Sequence, residues 1–167
     1  MLIAAQVVTR PKPVNLANAD ATYLIIGGVT GIGRAVAEWM VHKGAKHILI
    51  VSRNAEKHVE APILIETCKA GSCNAYVRSC DVADEKSFLN LLETCKSIMP
   101  PIRGVLTTAM VLDDTVLERM TYEQWQHAVL PKVASTMNLH KHLPSLDFFI
   151  MMSSTAGVSS DLDNGPE

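Results

Sequence analysis

With 167 residues the chain has room for one domain with a real core and too little for two. It is 48% hydrophobic and 19% charged, the balance of an ordinary soluble globular protein, which excludes a disordered or membrane-embedded chain. The formal net charge is -2 and the Lys and Arg residues are scattered, so no basic field is available for nucleic acid or an anionic membrane.

Residues 1–20 read as a lead-in. A short β-like run over 2–9 gives way to Arg10, Pro11, Lys12 and Pro13, which favour extended backbone. The apolar opening lacks the basic start of a signal peptide, and no run approaches the length of a membrane-spanning helix. A cytoplasmic location with no membrane partner is expected.

From Ala21 onward short apolar runs alternate with longer helical periods. Residues 22–26, 47–51, 74–78, 102–107 and 147–152 are predicted strands, nearly continuous in apolar character as strands covered on both faces are. Helices are predicted near 32–43, 59–70, 85–98 and 122–142. In the last, Tyr122, Trp125, Val129, Val133, Met137 and Leu139 are expected to cover a core face. Five strands alternating with helices over short connections predict an α/β fold, a Rossmann-like doubly wound parallel sheet in three layers, α/β/α. The closing VSSDLDNGPE reads as a polar loop with nothing for a sixth strand, so the domain over 21–167 is expected to be incomplete at its C-terminus.

Four cysteines, Cys68, Cys73, Cys80 and Cys95, form no C-x-x-C pair and match no zinc spacing, so reduced thiols and no metal are expected. His140 and His142, two apart on a helix, point different ways and read as surface residues.

The sharpest motif is IIGGVTGIGR at 25–34, in which Gly27, Gly31 and Gly33 have the spacing G-x-x-x-G-x-G between a predicted strand and helix. A tight turn there needs glycine torsions, a diphosphate must approach bare backbone, and the helix start supplies unpaired N–H groups. Gly28, Thr30 and Ile32 belong to the same expected contact surface; a merely structural turn is the competing reading. At the end of the second strand Ser52 and Arg53 stand where an NAD site usually has a carboxylate. A guanidinium holds a 2′-phosphate with paired hydrogen bonds, so NADPH is the expected cofactor, with Arg34 able to help. The alternative for Arg53 is a solvated strand-end charge. Asp81 and Val82, after the third strand, fit beside an adenine ring; for Asp81 the competing reading is helix capping, a role the sequence also offers to Asp84.

With these residues in hand, the segment 21–158 resembles the catalytic subdomain of a polyketide synthase ketoreductase, in the short-chain dehydrogenase/reductase superfamily. It is most similar to the fungal highly reducing type. The strings ATYLIIGGVTGIGR, GAKHILIVSR, RSCDVAD, PIRGVLTTAMVLDD, WQHAVLPKV and LDFFIMMSS carry the resemblance. It implies that Lys132 holds the cofactor ribose or the catalytic tyrosine and lowers that phenol's pKa by its charge. It implies that Ser154 hydrogen-bonds the substrate ketone as charge develops, with Ser153 structural. The LDD string, Leu112 to Asp114, resembles a motif tied to one stereochemical outcome of reduction, though a loop before a helix favours Asp anyway.

The family also places a tyrosine, in Y-x-x-x-N, soon after the serine. The three tyrosines here, Tyr23, Tyr76 and Tyr122, all precede Ser154. Two readings follow. By resemblance, the complete domain uses NADPH to reduce a β-ketoacyl group, held on an acyl carrier protein beside neighbouring synthase domains, to the β-hydroxyacyl product. Alternatively the chain is a non-catalytic fragment or pseudoenzyme that keeps nucleotide binding at most. A stand-alone dehydrogenase of small alcohols is disfavoured by Lys132 and by the linker-like start.

Overall fold

The computed structural model describes residues 15–109 and 119–153. The expected run at 2–9, the LDD string and Ser154 lie outside them. The elements in order are β1 (Thr22–Ile26), α1 (Gly31–His42), β2 (His47–Ser52), a short 3-10 turn (Ala55–Lys57), α2 (Ala61–Ala70), β3 (Asn74–Ser79), α3 (Glu85–Lys96), β4 (Ile102–Thr107), α4 (Tyr122–His142) and β5 (Phe148–Met151). Every element expected from residue 21 to 152 is present, with ends displaced by a residue or two.

All strand pairs are parallel, and the sheet order is β3-β2-β1-β4-β5. Alternation along each strand divides the core between the two faces of the sheet. Tyr23, Ile25, Ile48 and Ile50 pack with Met40 of α1 and Leu64 of α2. Leu24, Ile26, Leu49 and Val51 point the other way, onto Phe88 and Leu91 of α3 and Leu139 of α4. β1 and β2 are therefore covered on both sides, which is why their sequences show no polar alternation.

The α4 expectation needs correction. Leu139 is fully buried and Val129 half-buried, but Trp125, Val133 and Met137 are 47%, 53% and 61% exposed and Tyr122 more so. Helical periodicity gathers these side chains in one stripe, yet the α4 residue buried in the core is Leu139, and those on the cleft are Ala128, Pro131, Lys132 and Ser135. Thr121 starts the helix with a capping box, accepting from the Gln124 N–H while the Gln124 side chain accepts from the Thr121 N–H.

A second correction concerns His142. Its Nε2 lies 2.7 Å from Glu85 Oε1 and its ring meets Phe88 edge-on, so it joins α4 to α3 and is no free surface residue.

Candidate active site

The strand order reverses at β1: the chain passes from β1 to β2 and β3 on one side, then crosses to β4 and β5 on the other. Loops leaving β1 and β4 diverge, and a crevice opens at the carboxyl ends of the strands. Here it is a cleft of about 500 Å³. Gly27 and residues 30–33 line it from the β1–α1 corner, Ser52 and Arg53 from the end of β2, and residues 80–83 from the end of β3. Thr108 and Ala109 follow β4, Ala128, Pro131, Lys132 and Ser135 come from α4, and Met152 and Ser153 follow β5.

At the corner, Gly27 has φ 82 and Gly31 has φ 57, both in the left-handed region that favours glycine. A Cβ on Gly31 would meet nothing within 4 Å, because the residue opens on the cleft. A Cβ on Gly33 would instead stand 2.7 Å from the Gly27 carbonyl oxygen and from Thr108 Oγ1. Thr108 pins that contact by donating both its N–H and its hydroxyl to the Ile26 carbonyl, each at 2.8 Å. The N-terminus of α1 thus meets the cleft as bare backbone. Its Thr30 N-cap makes no side-chain capping bond and its first turn has no acidic residue. The first N–H groups of the helix and the positive end of its dipole are available to an anion.

Gly28 is not among the cleft residues. It is buried, and a Cβ there would stand 2.7 Å from Ile25 Cγ2 and 3.2 Å from Ile50 Cγ2. Its part is to let the corner lie flat on the sheet.

Arg53 is exposed at the cleft, and among the described residues no carboxylate pairs with it. Arg34, expected to assist, does not: its Nε donates to Glu38 at 2.9 Å and its Nη1 to Glu60 at 2.7 Å, and it lies away from the cleft lining. Two carboxylates already neutralise that guanidinium.

Asp81 and Asp84 divide the work that the sequence left open between them. Asp84 caps α3, accepting from the Lys86 N–H, while Asp81 lies at the cleft with Oδ1 accepting from the Ala83 N–H at 3.0 Å. Val82 is beside it, buried and on the lining.

Lys132 lies on the cleft side of α4, where the Ser135 hydroxyl donates to its carbonyl at 3.2 Å. Ser153 is exposed on the lining. The three tyrosines lie elsewhere. Tyr23 donates its hydroxyl to the Asn15 carbonyl and Tyr76 to the Ile98 carbonyl, while Tyr122 stacks on Trp125. All four cysteines are free and buried; burial pushes the thiol of Cys68 up to about 11 and that of Cys73 up to about 12, which makes them unreactive.

Two residues of this region escaped the sequence reading. Thr108 sits one residue past β4, and nothing local marks it. Asn138 donates from Nδ2 to the Val82 carbonyl at 2.8 Å and the Ala83 carbonyl at 3.1 Å. No local signal marks it either, since six residues place it about 120° round α4 from Lys132.

A switch-point cleft of bare glycine backbone, with a helix-borne lysine across from it, defines an α/β protein of the short-chain dehydrogenase/reductase type. More specifically, the chain belongs to the KR domain family, whose model matches residues 21–165. It is 46% identical over 154 residues to the highly reducing polyketide synthase pks5 of Leptosphaeria maculans, covering 92% of this chain and 6% of that protein. It is 47% identical over 152 residues to the highly reducing polyketide synthase azaB of Aspergillus niger, covering 91% and 6%. The chain therefore spans about 6% of the length of these relatives.

Among solved structures, the ketoreductase from the first module of phoslactomycin biosynthesis in a Streptomyces strain matches with TM-score 0.78 and 29% identity, over 83% of this chain and 32% of that one. An A1-type ketoreductase matches with TM-score 0.80 and 27% identity, over 93% and 33%. A short-chain type dehydrogenase/reductase from Mycobacterium ulcerans shares the fold, at 24% identity and TM-score 0.72, over 84% and 54%. The family implies a nicotinamide cofactor. The corner suits one, since Gly31 opens on the cleft where a side chain would intrude on a diphosphate. Among the described residues no helix is long and apolar enough to cross a membrane.

Proposed function

We propose that this chain is the cofactor-binding part of a ketoreductase that uses NADPH to reduce a carrier-bound β-ketoacyl group to the β-hydroxyacyl product within a polyketide synthase. The observation that carries the reading is Arg53 at the cleft, which no carboxylate pairs with among the described residues, and the lack of a carboxylate at the end of β2 to repel a 2′-phosphate. Gly27, Thr30, Gly31, Ile32 and Gly33 would cradle the diphosphate, Ser52 and Arg53 the 2′-phosphate, and Asp81 and Val82 the adenine ring. NADPH supplies the hydride.

The chain's own residues provide the electrostatics. Lys132 lines the cleft, and its cation would favour the ionised form of the phenol of the family's Y-x-x-x-N tyrosine. Ser154 would hydrogen-bond the ketone oxygen as negative charge gathers on it. The acyl carrier protein and the adjacent synthase domains are the partners this reaction requires.

A second reading, nucleotide binding without turnover, is favoured by one observation: none of Tyr23, Tyr76 and Tyr122 lines the cleft. A missing general acid costs about 10²–10⁴-fold in rate. Titration of the chain with NADPH and NADH, followed by an assay on a β-ketoacyl thioester, separates the readings. Tight NADPH binding with no turnover is expected of the chain alone, and turnover of the same polypeptide once a downstream Y-x-x-x-N segment is included. Equal affinity for the two cofactors would remove the role given to Arg53.

A further inference from the structure

The loop between β3 and α3 lies on the cleft through Asp81 and Val82, and it is shaped by two local bonds. The Ala83 N–H donates to Asp81 Oδ1 at 3.0 Å and the Asp84 N–H to the Asp81 carbonyl at 3.1 Å. These bonds fix the turn but not its position relative to the rest of the cleft. The Cys80 N–H ties the start of the loop to the Ser52 carbonyl of β2 at 3.0 Å, and α4 ties its middle. The Asn138 side-chain amide spends both of its hydrogens on this loop, one on the Val82 carbonyl at 2.8 Å and one on the Ala83 carbonyl at 3.1 Å. Lys132 and Ser135 line the cleft from the same helix, and Lys132 is about 9 Å from Asn138 along the axis at 1.5 Å per residue.

We infer that Asn138 is a positioning residue: by tying the Val82 and Ala83 carbonyls to α4, it holds the base-binding loop at a fixed distance from the helix that presents Lys132. The inference rests on the nucleotide reading of the cleft. Carbonyl oxygens only accept, so a side chain must bring two donors to satisfy this pair, and the asparagine amide does so at the required length. Aspartate has the same shape but would set carboxylate oxygens against carbonyl oxygens. A second tie between α3 and α4 serves as an internal control. Glu85 Oε1 lies 2.7 Å from both Lys141 Nζ and His142 Nε2, and touches neither carbonyl of the loop.

The test is calorimetric titration of the 167-residue chain with adenosine 2′,5′-bisphosphate, the base half of the cofactor, and separately with nicotinamide mononucleotide. Asn138→Asp and Asn138→Ala should bind the adenosine compound about tenfold more weakly, with nicotinamide mononucleotide within about twofold of wild type. Glu85→Gln should lower the melting temperature yet leave both affinities unchanged. Folded Asn138 variants with wild-type affinity for adenosine bisphosphate would overturn the inference, as would an equal loss for both ligands, which is general loosening. In the wild-type chain the Asn138 side-chain amide resonance should shift on adding adenosine bisphosphate and not on adding the mononucleotide. A resonance that ignores both overturns the inference even where the variants do not fold. If the wild-type chain binds neither compound, the nucleotide reading itself falls.

Discussion

Thr108 Oγ1 stands 2.7 Å from the point that a Cβ on Gly33 would occupy, held there by its 2.8 Å bond to the Ile26 carbonyl. The first helix can therefore approach β4 this closely only while residue 33 has no side chain.

Gly33→Ala brings a methyl against three atoms at 2.7 Å, two of them backbone, so the corner has to shift. Overpacking of this kind costs about 1–3 kcal/mol. A lower urea midpoint is expected, together with a drop in NADPH affinity of about tenfold or more. Gly31→Ala is the informative comparison. It meets no protein atom within 4 Å, and its cost in stability should be the left-handed backbone alone, about 1–2 kcal/mol.

Arg53→Ala should weaken NADPH binding about 10- to 100-fold while changing NADH binding little, since charge-assisted hydrogen bonds contribute about 1.5–3 kcal/mol. Fluorescence titration at two salt concentrations checks this. The wild-type preference for NADPH should shrink at high salt, because Arg53 is exposed and its field is screened.

His47 opens β2 with its Nδ1 buried and without a hydrogen-bond partner among the described residues, and burial holds its pKa below the ordinary value. The unfolded chain therefore binds a proton that the folded chain resists. Stability is full above the unfolded pKa of about 6.5 and is lost as pH falls below it. Melting curves between pH 5 and pH 8 should show this slope. His47→Leu should flatten it and raise stability at the acid end, since an unsatisfied buried group costs about 1–3 kcal/mol.

Gly104 lies opposite Phe148 in the β4–β5 pair, and the Phe148 ring covers its Cα so closely that any Cβ would enter the ring. Phe148 in turn stacks on Tyr23 with centroids 5.7 Å apart. Gly104→Ala should destabilise by about 1–3 kcal/mol by pushing the ring aside. In the Phe148→Leu background the same change should cost measurably less, a coupling that a double-mutant cycle of urea midpoints would read.

Much of this was legible from residue order. The strands of the sheet announced themselves because both of their faces are buried, and the glycine corner because its torsions admit few other residues. The place of Arg53 on the cleft was legible because it directly follows the end of a strand. Arg34 misled because its nearness to the corner in sequence says nothing of Glu60, 26 residues on, which takes up its charge. The apolar stripe of α4 misled differently. Periodicity identifies a stripe, but only the sheet decides which side of the helix faces it.

Local chemistry along the chain, then, determined the alternation of elements, the bare-backbone corner and the cationic strand end, since each depends on neighbours a few residues apart. Tertiary structure alone decided the partners that make these into a site: Thr108 against Gly33, and Asn138 reaching Val82 across 56 residues. A hydrogen bond of that kind depends on where the sheet reverses and how α4 crosses it, and only packing sets those distances.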